Sequence, residues 1–271
     1  MAVQELNARV ISKMEFSPGN FVLRVAPVGW ELADFTPGQY SVLGLFGSAP
    51  RSVLSDPEEK PLPADKLIRR AYSIASSSMA REYLEFYIAV VRSGALTPRL
   101  YNLEIGDMLW LGKKCVGLMT LEEVPEEANV ILIATGTGVA PYMSMLRTLA
   151  ASKGFARKYA VFQCACHSWD LGYRSELEVL SNMSPNFYYF PVISEPDKEQ
   201  ISWAGLTGFA FDAWKSGVIE NAWGFHPTPE DSHIFLCGNP LMIDSAIEFL
   251  GKERFNEHKK REPGEIHLER F

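Results

Sequence analysis

At Glu122-Glu123-Val124-Pro125-Glu126-Glu127 the hydrophobic pattern of this chain changes period. Before it, short alternating segments stand between Gly and Pro turns: Phe21-Val22-Leu23-Arg24-Val25, Gln39-Tyr40-Ser41-Val42-Leu43 and Leu84-Glu85-Phe86-Tyr87-Ile88-Ala89-Val90. A period of two with frequent turns predicts an antiparallel barrel. After it, apolar runs alternate with helical stretches: Val130–Ala134, Tyr142–Ala151, Tyr159–Cys164, Tyr173–Leu180, Phe187–Ile193, Phe209–Gly217, His233–Leu236 and Leu241–Phe255. That alternation predicts a parallel sheet with crossover helices. The 271 residues leave room for two domains, each with its own core.

Within the first half, Thr97–Leu103 is the one expected helix, with Thr97 as cap and Pro98 at the first helical position. Gly47 to Ile68 is rich in Pro, Ser, Asp and Lys. It reads as a long loop, either a mobile surface excursion or a flap over a ligand or partner. The four cysteines, Cys115, Cys164, Cys166 and Cys237, have no zinc or iron–sulfur spacing. Cys164 and Cys166 fall on one face of a strand, and buried thiols in a reducing cytoplasm are expected. No apolar run is long enough to span a membrane, and the polar start MAVQELNARVISKMEF does not read as a signal peptide.

Charge is unevenly placed. Residues 1–120 carry 13 Lys and Arg against 12 Asp and Glu, and residues 121–271 carry 13 against 21. A net charge of −7 argues against nucleic-acid binding.

Three motifs carry chemistry. Arg70-Ala71-Tyr72-Ser73 puts a cation, an aromatic ring and a hydroxyl on one β segment. That set suits a ligand with a diphosphate and a flat polar ring; alone, it is also a β edge with an exposed Arg. Ala134-Thr135-Gly136-Thr137-Gly138-Val139-Ala140-Pro141 is a glycine turn between an apolar strand and a helix, suited to a second diphosphate. Pro141 stands in the third-glycine position, so it is not the GxGxxG fingerprint, and alone it is a plain strand-to-helix turn. Leu236-Cys237-Gly238-Asn239-Pro240 follows another apolar strand, and the chain closes on Phe271. Together they suggest two cofactors meeting across a cleft.

In this order, and with Gly38-Gln39-Tyr40, Gly94-Ala95-Leu96-Thr97, Gly106-Asp107 and Leu206-Thr207-Gly208, the chain from residue 8 to Phe271 resembles the ferredoxin–NAD(P)⁺ reductase superfamily, and most nearly the bacterial flavodoxin/ferredoxin reductases. The resemblance implies a six-stranded antiparallel β-barrel over residues 1–122 that holds FAD. It also implies a five-stranded parallel sheet with flanking helices over 123–271 that holds the nicotinamide dinucleotide. Hydride would pass between NAD(P)H and flavin N5, and single electrons would pass to a ferredoxin or flavodoxin. A reductase component of an oxygenase, a free-flavin or quinone reductase, and a flavin-binding module without turnover stand as other readings. A monomer or weak dimer is expected.

The resemblance also assigns residues. Arg70 anchors the flavin diphosphate, Tyr72 lies on one flavin face, Ser73 bonds near N5, and Ala71 stands between them. Tyr87, Ala95, Leu96 and Thr97 touch ribityl and diphosphate, with Leu96 equally a packing residue, and Thr137 reaches the flavin. Phe271 stacks on the other flavin face and swings away for nicotinamide. Glu269 relays a proton or is a solvated terminal carboxylate. Gly136, Thr137, Gly138 and Pro141 cradle the dinucleotide diphosphate, while Cys237, Gly238 and Asn239 shape the nicotinamide pocket.

One departure bears on the cofactor. NADPH-preferring bacterial relatives hold arginines where this chain has Cys166, Glu195 and Phe209. Lys198, Arg174 and His167 are the neighbouring cations, and Ser194 adjoins Glu195. A carboxylate beside a ribose accepts from a 2′-OH and repels a 2′-phosphate, so NADH is favoured. On the less negative barrel half, Arg51, Lys60, Lys66, Arg69, Arg92, Lys113 and Lys114 are either a basic docking patch or scattered solvated charge.

Overall fold

The computed structural model describes residues 5–271. Two compact units emerge. One comprises the chain up to Thr120 together with Ala140–Thr148; the other comprises Leu121–Val139 and Leu149–Phe271.

The first unit holds strands β1 (Ala8–Ser17), β2 (Asn20–Pro27), β3 (Tyr40–Phe46), β4 (Leu67–Ser73), β5 (Leu84–Ala89) and β6 (Met108–Leu111), with a short helix, α1 (Thr97–Tyr101), and the helical stretch Ala140–Thr148. They form an antiparallel sheet in the order β4-β3-β6-β1-β2-β5. A bridge between Ile74, just past β4, and Phe86 of β5 joins the two edge strands and closes the barrel. The period-two pattern has a direct consequence here: Phe21, Leu23 and Val25 of β2 and Leu84, Phe86 and Ile88 of β5 all enter one core with Leu43 and Leu109. Glu85 is also buried, between Arg24 Nε and Arg147 Nη1, each at 2.6 Å. Arg147 donates further to the Ala75 carbonyl at 2.8 Å. A carboxylate this deep is tolerated because two guanidinium groups satisfy it.

Two local expectations are corrected. Thr97 does not cap α1. Leu96 holds the cap position without a side-chain bond, and the Thr97 hydroxyl is committed to the Val91 N–H at 2.9 Å. The excursion from Gly47 is tied down. Gly47 N–H donates to the Lys66 carbonyl at 2.9 Å and buried Ser52 donates from its N–H to the Pro98 carbonyl at 3.0 Å. Glu58 pairs with both Arg51 and Arg99.

In the remainder of the chain, β7 (Asn129–Thr135) is followed by α2 (Ala140–Ala151), β8 (Tyr159–Ala165), α3 (Arg174–Met183), β9 (Phe187–Ile193), β10 (Leu206–Thr207), α4 (Ala210–Lys215), α5 (Val218–Trp223), β11 (Ser232–Gly238), α6 (Pro240–Lys252) and β12 (Ile266–Arg270). The sheet is parallel, in the order β10-β9-β8-β7-β11-β12. It has six strands where five are expected. The extra pairing involves short stretches whose side chains carry no strong strand pattern: β10 is two residues, and β12 reads Ile-His-Leu-Glu-Arg. Backbone pairing with β9 and β11 makes them strands. α5 also has no counterpart in the periodicity; it stands between Gly217 and Gly224, both left-handed.

Strands β7 and β8 are buried along almost their whole length, as a sheet covered on both faces requires. Ile131, Ile133, Phe162, Val192, Trp214, Leu236 and Ile243 share the second core. Each fully buried large side chain contributes about 1.5–3 kcal/mol. Only two of the four thiols are buried, Cys164 and Cys237. Cys166 is exposed because β8 ends at Ala165. Among the described residues no helix is long and apolar enough to cross a membrane, and no group of three or more His, Cys, Asp or Glu is placed to hold a metal.

Three histidines stack beside β11 and β12. His267 lies on Phe235 with ring centroids 4.4 Å apart and on His258 at 4.6 Å. Its Nε2 is 3.0 Å from His233 Nδ1, while His258 Nε2 pairs with Glu123 at 2.6 Å. Burial, then the neighbouring His258 and His233, pushes His267 down to about 3. Burial also lowers His233, against the pull of Glu265. His267 and His233 fold neutral, whereas in the unfolded chain they take up protons near 6.5. The folded state therefore binds fewer protons, and stability is lost as pH falls from about 6.5 toward 3, by up to about 1.4 kcal/mol per pH unit for His267. Chemical denaturation at pH 7 and pH 5 should show this loss, and His267→Phe should flatten the difference.

Candidate functional site

Each unit presents part of the predicted site. In the barrel, β4 pairs with β3 so that Arg70 faces Leu43 and Tyr72 faces Ser41 across the ladder. Alternation along the strand puts Arg70 and Tyr72 on one face and Arg69 on the other. Arg69 lies over the Trp110 ring at 5.4 Å. Arg70 is exposed, its Nη1 donating to the Arg69 carbonyl at 2.7 Å. Tyr72 is half-buried against the barrel core. Burial raises its phenol above the ordinary range, with Arg70 opposing the shift. The tyrosine is thus a neutral flat surface beside a solvated guanidinium. Ala71 is exposed and Ser73 half-buried at the strand end, opposite Tyr40.

Tyr87 is buried and meets Phe16 edge-on at 5.6 Å. Leu96 sends its side chain into the barrel core. The Thr97 hydroxyl is held by β5's continuation at Val91. At Gly94, Ala95, Leu96 and Thr97 it is therefore the backbone that can meet a ligand.

In the second unit, the predicted residues collect at the carboxyl ends of neighbouring β7 and β11. The turn Gly136–Val139 leaves β7 with Gly136 at φ +55°, and a Cβ built on Gly136 would meet nothing within 4 Å. Space above this turn is open. Below it there is none: a Cβ on Gly138 would lie 2.2 Å from the Cys237 carbonyl oxygen. Gly238, at φ +140°, would place one 2.1 Å from Thr135 Oγ1. That Oγ1 accepts the Asn239 N–H at 2.9 Å. The Asn239 carboxamide accepts from Leu241 N–H at 2.8 Å and caps α6. Thr135 therefore ties the two loops together. Sequence reasoning quoted it in the motif and gave it no role, although a hydroxyl at the junction of apolar strand and glycine turn is the signal. Thr137 is half-exposed, and Pro141 is the second residue of α2, in the stretch that belongs to the first unit.

Cys237 is fully buried, and burial, with a smaller push from Glu269, raises its thiol well above the ordinary range. It pairs in register with Glu269 on β12. Phe271 donates its N–H to the Gly238 carbonyl at 3.4 Å, and its residue is 61% exposed. The terminal ring is thus tethered by backbone at the glycine junction and is open to solvent.

Ser194 and Glu195 lie just past β9. Their N–H groups donate to the Ala165 and Cys166 carbonyls at 3.0 Å. The Glu195 carboxylate holds Lys198 Nζ at 2.5 Å and His167 Nε2 at 3.2 Å, and Lys198 above all keeps it below the ordinary carboxylate range. His167 stacks on Trp169 at 4.4 Å, a platform the sequence reading overlooked. Arg174 is paired with Glu178 at 2.7 Å and lies over Trp203. Phe209 is exposed.

Comparison with known proteins gives these features a family. The oxidoreductase NAD-binding domain model matches residues 132–248. A flavodoxin/ferredoxin–NADP reductase of Buchnera aphidicola subsp. Baizongia pistaciae (strain Bp) is 31% identical over 241 residues, which cover 89% of each chain. The chain belongs to the flavodoxin/ferredoxin–NADP reductase family. The reductase of the same description from Escherichia coli (strain K12) is 30% identical over 209 residues, covering 77% of this chain and 76% of that one. The fold agrees with the crystal structure of a ferredoxin NADP⁺ reductase from Neisseria gonorrhoeae with bound FAD and NADP, at a TM-score of 0.79, 24% identity and 97% coverage of both chains.

This member of the reductase family is an oxidoreductase with several barrel cations already occupied. Arg51, read as part of either a basic docking patch or scattered solvated charge, is instead held by Glu58 and three backbone carbonyls. Arg92 sits 3.3 Å from Asp56, and Lys113 lies over Trp30.

The glycine junction is open to a direct check. In Gly138→Ala the new methyl group meets the Cys237 backbone, which cannot rotate away. Denaturant unfolding should show a loss of about 1–3 kcal/mol. Gly136→Ala, where space is open and only the positive φ resists, should lose less.

Proposed function

We propose that this reductase holds FAD in residues 1–122 and a nicotinamide dinucleotide in residues 123–271, and exchanges electrons between NADH and a one-electron carrier of the ferredoxin or flavodoxin type in a reducing cytoplasm. The donor set fits both groups. A solvated guanidinium and a neutral half-buried phenol share one face of β4, as a diphosphate with a flat ring requires. The open space over Gly136 leaves room for the second diphosphate. When bound, the flavin supplies the passage from two-electron hydride chemistry to single electrons.

The chain's own residues then bind, orient and exclude. Arg70 takes the flavin diphosphate, Tyr72 supports the ring, and Ser73 offers its hydroxyl to the reactive edge. Ala71, Tyr87 and the backbone of Ala95, Leu96 and Thr97 complete that side. Gly136, Thr137, Gly138 and Pro141 receive the dinucleotide diphosphate, while Gly238 and Asn239 border the nicotinamide. Cys237 packs against it. Its buried, protonated thiol is a poor nucleophile. Glu269, opposite Cys237 in register, relays a proton, and Phe271 yields its place when nicotinamide enters.

The preference for NADH rests on one observation: the cations near the ribose site are already paired. Lys198 and His167 bind Glu195, and Arg174 binds Glu178. A 2′-phosphate would have to displace a carboxylate from Lys198, whereas a 2′-OH donates to Glu195.

Stopped-flow reduction of the FAD-loaded protein at equal NADH and NADPH concentrations tests this. NADH should be faster by about tenfold or more, matching the loss of at least one charged hydrogen bond at about 1.5–3 kcal/mol. A faster reaction with NADPH overturns the preference, and a protein that takes up no flavin overturns the whole reading. Glu195→Arg should shift the ratio toward NADPH. Removing the terminal ring in Phe271→Ala should tighten nicotinamide dinucleotide binding, measured by difference spectroscopy; unchanged affinity would remove Phe271 from the site.

A further inference from the structure

The long excursion between β3 and β4 is bolted to the turn between β5 and α1 by two arginines that share one carboxylate. Arg99, buried to 3% exposure, donates from Nη1 to Glu58 Oε1 at 2.8 Å and to the Ala95 carbonyl at 2.7 Å. Its Nη2 donates to Glu58 Oε2 at 3.0 Å and to the Gly47 carbonyl at 2.9 Å. Arg51, which belongs to the excursion, donates from Nη1 to Glu58 Oε1 at 3.1 Å and to the Gly94 carbonyl at 2.8 Å. Its Nη2 reaches the Asp56 and Arg92 carbonyls at 2.9 and 3.1 Å. Asp56 N–H donates to the same Arg92 carbonyl at 3.1 Å.

Three carbonyls of the turn, those of Arg92, Gly94 and Ala95, therefore point toward the guanidinium groups. In a trans peptide the next residue's N–H points the opposite way. The N–H groups of Ser93, Ala95 and Leu96 are aimed away from the arginines. Among the described residues, none of these three donates a hydrogen bond to another group of the protein. Three N–H groups without a protein acceptor, close together in one turn, can serve an anion.

We infer that the excursion is a strap that presets this turn for the flavin diphosphate, and that Glu58 is the positioning residue that keeps both arginines on the turn's carbonyls. This rests on the proposed FAD site. Glu58 does not touch the ligand; it acts through Arg51 and Arg99. Without its carboxylate, two guanidinium groups lie side by side with no counter-charge and repel, which releases the carbonyls and lets the N–H groups turn away.

The test compares FAD with riboflavin, which has the ring and no phosphate. Binding to apoprotein is followed by flavin fluorescence, and apoprotein melting is recorded in parallel. Glu58→Gln should raise the FAD Kd by about tenfold or more, the scale of one charge-assisted hydrogen bond. It should leave the riboflavin Kd within about twofold, measured at a temperature where the melting curve shows the variant apoprotein still folded. Equal weakening of both flavins, or an FAD Kd like the wild type's, overturns the inference, since the strap is then scaffolding only. Arg51→Lys provides the second variant: it keeps the charge and loses the fork onto the Gly94 and Arg92 carbonyls. It should weaken FAD selectively as well, and no change would equally overturn the inference. Wild-type protein that binds neither flavin would instead end the FAD reading itself.

Discussion

Two backbone loops at the ends of β7 and β11 approach more closely than any side chain permits. Gly138 packs on the Cys237 carbonyl and Gly238 on Thr135, and the Thr135 hydroxyl bridges the gap to the Asn239 N–H. The parallel pairing of β7 with β11 fixes this approach residue by residue, from Ser232 opposite Asn129 to Cys237 opposite Ala134. The rest of the second site hangs from it. α6 starts from the Asn239 cap, β12 extends the sheet from β11, and Phe271 is tethered to the Gly238 carbonyl. Side-chain chemistry there is sparse because backbone forms the surface.

The barrel uses a different device. Two of its carboxylates are each held by two guanidinium groups, Glu85 by Arg24 and Arg147 and Glu58 by Arg51 and Arg99. Arg147, Arg51 and Arg99 also donate to main-chain carbonyls, at Ala75, Gly94, Ala95 and Gly47. Such a network fixes irregular backbone where no ladder can. A loop whose composition suggests mobility is thereby made part of the scaffold.

Electrostatics also narrow the chemistry. The buried Cys237 thiol stays protonated, which removes it as a nucleophile and leaves its shape as its contribution. Just past β9 and on α3, Lys198 is paired with Glu195 and Arg174 with Glu178. Arg70, Phe209 and Phe271 are exposed.

The sequence by itself determined the two fold classes, because periods of two and of strand-plus-helix reflect which faces must leave water. It also determined the glycine turns and the Arg-x-Tyr-Ser strand, whose residue types are tied to local geometry. Short β10 and β12 were not legible, since partners distant in the chain make them strands. Nor was the commitment of Arg51, Arg99 and Lys198: a charged side chain reads the same whether solvated or paired. Only the tertiary structure, by bringing Glu58 to Arg99 across 41 residues, decided which cations remain free, because pairing depends on separations in space that sequence spacing does not encode.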